Sequence, residues 1–527
     1  MAVKYDAIIV GAGAAGAVLA ARLTEDPGKS VLLLEAGPDF PTFEQLPGEI
    51  KFAYGEDRNL WARAFGYDTK FGWGYTARAT DKAPDMFVPR GKIVGGSSAV
   101  NSMVFLRGIP EDYDAWAEQG NSIWRFQELL PYFRKNETDL DFDDSFHGHA
   151  GPIRARRFKY EELNPEHRAF YDACRAAGYA DCPDHNAPDA TGVGPLALNN
   201  PDRIRGSTAI GYLSEARHRR NLNIKAECLV HRVFFEGRRA IGVAVENGGG
   251  MFNVYGDEIV LCGGAIGSPH ILMLSGIGPA DNLKDVGIDL LHELPGVGQN
   301  LRDHPLVPVT VRVKDAFLSD GTEPRLQVGL SYTARGSDLR NDMFIQAGSF
   351  ATEGGYCVAS DAKPLGFYIW AYIFRAVGAG EIKLTSSDPH RHPALDFNYL
   401  AESFDRERLR EAVRIIIDLI DHEAFKELIA ERIGPTDADL ETDQALDEWM
   451  MREVTTSHHV SATCKMGLGS DPMAVVDQYG KVHGVEGLRV ADASIMPDCV
   501  RANTNVTCMV IGERVADFMR QRYVATD

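Results

Sequence analysis

At 527 residues the chain exceeds one ordinary hydrophobic core, so it should form two domains or carry a large insertion. A formal charge of −20 works against nucleic-acid and anionic-membrane partners through long-range repulsion, and 44% hydrophobic with 25% charged residues marks a globular protein. No window holds the roughly twenty uninterrupted apolar residues of a membrane span.

Residues 5–10, YDAIIV, form a short apolar run rich in β-branched side chains, suited to a buried parallel strand. GAGAAG follows at once (Gly11, Gly13, Gly16), then helix-forming residues, then a second strand, SVLLLE, ending at Glu35. Gly11 permits a tight turn, Gly13 lets the backbone approach a pyrophosphate, and Gly16 lets helix and strand pack closely. The helix N-terminus then offers free N–H groups and its positive dipole end to the anion. Glu35, nineteen residues past Gly16, is placed to accept hydrogen bonds from ribose hydroxyls and would repel a 2′-phosphate. FAD and NAD both remain open at this point. The apolar start lacks a basic leader and a cleavage site, so it reads as mature structure and not as a signal peptide.

Two further glycine loops follow. VPRGKIVGGSSAVNSMVFLRG (88–108) joins backbone N–H groups at Gly95 and Gly96 to the Ser97 and Ser98 hydroxyls, with Arg90 and Lys92 just before them. It is a second candidate cradle for a phosphate or ring. IVLCGGAIGSPHILMLSGIGP (259–279) repeats the strand–glycine–helix order. GFYIWAYIF (366–374) suits a half-buried sheet; its aromatic stripe is expected in the core, the alternative being the wall of a pocket for an aryl or furanic alcohol. Residues 405–425 read as a helix. Eight cysteines (Cys174, Cys182, Cys228, Cys262, Cys357, Cys464, Cys499, Cys508) show neither CxxC nor zinc-ligand spacing, so reduced thiols in a cytoplasmic protein are expected.

These loops, with HGHAGPI (147–153), STAIGYL (207–213), LPGVGQNLRDH (294–304), HVSATCKMG (459–467) and GLRVADASIMPDCVRANTNVTCMVIGERVADF (487–518), follow the order of one known family. From residue 5 to residue 518 the chain resembles the glucose–methanol–choline (GMC) flavoprotein oxidoreductases. The resemblance implies an α/β protein with a Rossmann-like FAD-binding domain assembled from residues 1–155, 202–315 and 462–527. An inserted α+β substrate domain, an antiparallel sheet flanked by helices, would comprise 156–201 and 316–461. Carried over by position, Gly11, Gly13, Ala14, Ala15, Gly16, Glu35 and Ala36 would hold the ADP half of FAD. Arg90, Val94, Gly96, Ser97, Asn101 and Val230 would also line the cofactor, Val230 through its backbone near adenine. Asp492, Ala493, Asn503, Thr504 and Asn505 would complete that set, with Asp492 near the pyrophosphate–ribityl region. Val100 stands where some relatives carry a flavin-linked histidine and has no nucleophilic atom, so FAD should be non-covalent.

TSHHVSATCKMG (456–467) places two histidines side by side. On an extended segment they point to opposite faces and cannot chelate one metal together, so no metal site is expected. Nothing local is placed to activate Cys464 as a nucleophile. By family position His459 is the base. An alcohol oxidised by hydride transfer to flavin N5 must lose its hydroxyl proton to a positioned acceptor, and neutral imidazole suits that task near neutral pH. Asn505 matches the second active-site position, where an amide can orient the substrate oxygen without acting as a base. Ser457, His458 and Val100 are expected at the substrate pocket. The helix starting near Asn505, with Asn503 or Thr504 as N-cap, would stabilise negative charge on the flavin pyrimidine edge by ~0.3–2 kcal/mol.

The implied function is oxidation of a small-molecule alcohol, primary and aryl or furanic among the options, to the carbonyl. Electrons would pass to O2 or another acceptor. The alternative is a non-redox enzyme of the same fold, a hydroxynitrile lyase or FAD photodecarboxylase; the His459/Asn505 pair favours alcohol oxidation. A nicotinamide-dependent enzyme is disfavoured by the second and third glycine loops.

Overall fold

The computed structural model describes residues 4–55, 60–66, 69–353 and 362–521; Cys357, among the thiols expected to be reduced, lies outside them. Two seven-stranded sheets organise the chain. In the first, Lys4–Val10 pairs in parallel with Val31–Leu34 on one side and Gly250–Leu261 on the other. Leu222–Lys225 extends this sheet beyond Val31–Leu34, and Leu488–Val490 adds a parallel strand to Gly250–Leu261. Ala7–Val10 and Val31–Leu34 are buried without interruption, the signature of parallel strands covered on both faces. Leu229–Glu236, Arg239–Asn247 and Gly250–Leu261 form an antiparallel meander beside them.

The helix Ala14–Leu23 packs against the C-terminal helix Thr504–Arg520. Their approach is so close that a Cβ on Gly512 would stand 2.6 Å from the Ala15 carbonyl oxygen. The two ends of the chain therefore share one core, and each depends on the other for burial.

The second sheet is antiparallel throughout. Pro305–Val313 pairs with Pro364–Ile373, Ile429–Gly434 and Thr455–Thr456. Met343–Thr352, Val328–Tyr332 and Gly192–Pro195 continue outward from Pro364–Ile373. Helices Pro165–Ala176 and Ser403–Ile420 pack on this sheet. The expected division kept residues up to 315 with the nucleotide-binding part, whereas the strand Pro305–Val313 pairs in the second sheet. Its backbone groups are paired entirely within the second sheet, a choice of ladder partner made by residues some sixty positions away. Pro364–Ile373 is buried from Leu365 onward and is not half-exposed.

The HGHAGPI loop carries a buried ion network. His147 lies 3.1 Å from carboxylate oxygens of both Asp139 and Asp184, and Arg157 reaches the same two carboxylates. Burial opposes its charge, yet the Asp139, Asp184 and Glu137 carboxylates hold the imidazolium and raise His147 to about 11. Among the described residues no helix is long and apolar enough to cross a membrane.

Candidate active site

The first strand ends at Gly11, whose φ of +103° is the left-handed backbone that glycine supplies without strain. The turn delivers Gly13 as N-cap of Ala14–Leu23. A Cβ on Gly96 would stand 2.6 Å from Gly13 Cα, so the second glycine loop abuts the first backbone to backbone. The Gly95 N–H also donates to Ala12 O at 2.8 Å. Glu35 closes the second strand. Its carboxylate accepts the Ala12 and Gly37 N–H groups at 2.9 Å each, and burial pushes it up to about 7 against those bonds. Asp492 comes from the loop after Leu488–Val490 and accepts from Gly264 N at 2.9 Å and from the Ser268 and Ser494 hydroxyls.

These pieces face one cavity. Gly11, Gly13, Ala14, Ala15, Glu35, Ala36, Arg90, Gly96, Ser97, Val100, Asn101, Val230, Asp492, Ala493, Asn503, Thr504 and Asn505 all reach its wall, as do Ser457, His458 and His459. Gly16 does not: it lies in the helix–strand contact, where a Cβ would meet Cys262 Cβ at 3.0 Å. Val94, expected at the cofactor, is also withdrawn from the wall. It is 3% exposed and its N–H donates to Pro38 O, because the turn that brings Gly95 against Ala12 rotates Val94 into the core.

On the cavity wall His459 is held from both ring nitrogens. Nε2 meets Asn503 Nδ2 at 2.8 Å, while Nδ1 lies 2.9 Å from His304 Nδ1 and 3.0 Å from Ser457 Oγ. Asn503, the N-cap of the C-terminal helix, thus occupies the place beside the imidazole expected of Asn505. Asn505 sits one step into the helix, with its Nδ2 buried and lacking a protein acceptor. Burial drives His459 well below the ordinary imidazole range, reinforced by His304, His458 and Arg90, so the ring is neutral at neutral pH. His458 adopts φ +70° and sets its ring edge-on to Phe65, centroids 4.7 Å apart. Arg90 donates from Nη2 to the His458 carbonyl and from Nε to Pro89 O.

The wall beyond the imidazole is aromatic. Phe374 contacts the His304 ring at 4.7 Å between centroids and stacks on Phe344 at 4.8 Å. Tyr372, also on the wall, donates to Gln346. The stripe GFYIWAYIF is therefore divided: Tyr372 and Phe374 face the cavity, whereas Phe367, Ile369, Trp370 and Ile373 are core. His304 and Asp303 were missed as site residues, although LPGVGQNLRDH contains them; nothing local in that stretch shows which side chain it meets.

The cavity fits a dinucleotide. Two helix N-termini, at Ala14 and Thr504, face it together with backbone N–H groups of both glycine loops, a donor set for anionic and carbonyl oxygens. The buried Asn505 amide adds an orphaned donor within the same wall.

Comparisons with known proteins agree with this arrangement. Models of the N- and C-terminal parts of GMC oxidoreductases match residues 5–306 and 376–512. The chain is 34% identical over 544 residues to the oxygen-dependent choline dehydrogenase of Photobacterium profundum, covering 98% of this chain and 93% of that protein. It is 36% identical over 555 residues to the enzyme of the same name from Escherichia coli, covering 98% and 96%. Among solved structures it resembles pyridoxine 4-oxidase from Mesorbium loti, with a TM-score of 0.89, 28% identity and coverage of 99% and 100%. With matches that span most of its length, the chain is a member of the GMC oxidoreductase family.

Proposed function

We propose that the protein is an FAD-dependent enzyme that oxidises a primary alcohol, aryl or furanic, to the carbonyl, with electrons passing to O2 or another acceptor. The observation that carries this reading is the pairing of a neutral His459 with Asn503 on the wall of the cavity that the glycine loops also line. Alcohol-oxidising relatives support it. Bound FAD supplies the hydride acceptor at its N5.

The remaining chemistry belongs to side chains. His459 takes the hydroxyl proton at Nε2, and its depressed basicity keeps it unprotonated and ready near neutral pH. Asn503, which donates to that nitrogen in the structure, is placed to donate to the substrate oxygen and orient it. Thr504 and Asn505, on the first turn of the C-terminal helix, would hold the flavin end of the cofactor, and Gly13, Gly96 and Glu35 the ADP half. Val100 on the wall offers no nucleophile, which supports non-covalent binding.

The wall supports the substrate class. Its two carboxylates, Glu35 and Asp492, are engaged by backbone N–H groups and hydroxyls of the glycine loops and neighbouring turns. Phe344, Tyr372 and Phe374 line the cavity, and Phe374 packs on His304, the neighbour of His459. A buried cation needs a counter-charge, whereas a neutral aromatic alcohol needs apolar area. The seven described cysteines are free and buried, which supports the reducing, cytoplasmic setting.

The test is His459→Ala. Loss of the base should slow alcohol-dependent flavin bleaching by about 10²–10⁴-fold while the protein stays yellow. Wild-type bleaching by benzyl alcohol under anaerobic conditions in that variant would defeat the assignment. Benzyl alcohol that never bleaches wild-type flavin, with hydroxynitrile cleavage or light-driven decarboxylation in its place, would favour a non-redox reaction.

A further inference from the structure

Behind His459 lies a carboxylate, Asp303, that does not line the cavity. Asp303 is 5% exposed and accepts five hydrogen bonds. The backbone N–H groups of His304 and His459 reach its Oδ1 at 2.8 Å each, and the Ser457 hydroxyl reaches the same oxygen at 3.2 Å. Tyr399 OH at 2.6 Å and the Thr456 hydroxyl occupy Oδ2. Every partner of Asp303 is a donor. Ser457 has one hydroxyl proton, and a carboxylate is its strongest available acceptor, so its oxygen lone pairs are left for His459 Nδ1.

The other contacts of the ring demand the same proton placement. Asn503 Nδ2 is a donor, so His459 Nε2 must accept there and cannot carry hydrogen. Two neutral imidazoles meeting Nδ1 to Nδ1 at 2.9 Å share one proton between them. His304 is fully buried and stays neutral, burial pulling it down to about 3, so its Nδ1 lone pair can serve as a second acceptor. The proton belongs on His459 Nδ1, and Nε2 is left as the basic atom facing the cavity.

We propose that Asp303, acting through Ser457, is a positioning pair that holds His459 in the Nδ1-protonated tautomer and balances the imidazolium formed when Nε2 takes the alcohol proton. This rests on the reading of His459 as the base. The step is a simple proton transfer: the substrate O–H bond breaks, an Nε2–H bond forms, and the positive charge is shared through Nδ1–H toward Ser457 and Asp303. The other groups around the ring, His304, His458 and Arg90, all oppose its charge, and Cys499 meets only its backbone carbonyl. Asp303 is the one carboxylate among the described residues that contacts both Ser457 and the His459 backbone.

Two measurements on the FAD-loaded protein test this. In the 15N-histidine-labelled wild type, the His459 signal, assigned by its loss in His459→Ala, should show a protonated Nδ1 and a bare Nε2; an Nε2-protonated ring would overturn the proposal. Ser457→Ala, nearly isosteric and free of the folding risk of Asp303→Asn, should reduce about tenfold more slowly with benzyl alcohol. The acid limb of its rate–pH profile should move to lower pH, because the imidazolium loses its hydrogen-bonded link to the Asp303 carboxylate, and Ser457→Thr should restore both. An unmoved acid limb and wild-type rate in Ser457→Ala, with His459→Ala inactive, would remove the relay and leave the base intact; wild-type rates in both variants would remove the base reading itself.

Discussion

Gly13 and Gly16 lie three residues apart in one motif, yet the structure predicts opposite consequences for adding the same methyl group. At Gly16 a Cβ would fall well inside contact distance of Gly11 O and 3.0 Å from Cys262 Cβ, both fixed by the strand–turn–helix junction. Neither neighbour is the mobile tip of a side chain, so helix and sheet must separate. Overpacking of this kind costs about 1–3 kcal/mol or more. At Gly13 a Cβ would meet only Gly96 Cα at 4.0 Å, ordinary contact, and would project from a residue on the cavity wall. Gly13→Ala should therefore cost the protein itself about 1 kcal/mol or less, chiefly as a poorer N-cap. Against a bound pyrophosphate the same methyl should cost about 1–3 kcal/mol, or about 5- to 150-fold in Kd. Thermal melts with and without added FAD, with FAD titration of the apoprotein, separate the two cases. Gly16→Ala should melt lower by several degrees in both conditions, whereas Gly13→Ala should lose mainly the stabilisation that FAD confers. Wild-type FAD affinity in Gly13→Ala would refute the placement of the pyrophosphate at this turn.

Asn503→Ala should slow anaerobic flavin reduction by about 5- to 100-fold with FAD content retained, the loss of one hydrogen bond to the reacting oxygen. Asn505→Ala should chiefly weaken FAD binding, since its buried amide faces the cavity without a protein acceptor; stopped-flow rates set beside FAD stoichiometry distinguish the two, and interchanged phenotypes would reverse the assignment. Denaturation in acid or detergent should release all the yellow colour into the filtrate, because Val100 cannot bond the flavin; colour retained on the polypeptide would contradict this. His147→Ala should destabilise the protein by about 3–5 kcal/mol, since Asp139 and Asp184 lose a buried partner. The folded His147 is raised to about 11 from an ordinary 6.5, so its contribution is full below about pH 6.5 and declines as pH rises toward 11. Denaturant melts of wild type and His147→Ala should accordingly converge at high pH, and a gap that widens with pH would contradict the linkage.

The residue order alone was enough for features governed by nearest neighbours. A turn needing positive φ at Gly11, a backbone left bare at Gly13 and a carboxylate at the end of the next strand are local requirements, and they appear as spacings along the chain. Contacts between distant segments were settled only by folding. Asn503 and Asn505 are two positions apart, one the N-cap and the other in the first turn of the helix, and which one meets His459 depends on how the C-terminal helix is docked on Ala14–Leu23. His304 and Asp303 lie more than 150 residues from their partners at 457–459, so nothing in LPGVGQNLRDH could reveal the carboxylate beside His459. The strand Pro305–Val313 joined the second sheet because its ladder partners lie there. Residues 366–374 divided between core and cavity because only Tyr372 and Phe374, at the far end of their strand, reach the cavity wall. Sterics acts over a few bonds and is written in the chain; hydrogen-bond partners and cavity walls are chosen by packing, which assembles residues the chain keeps far apart.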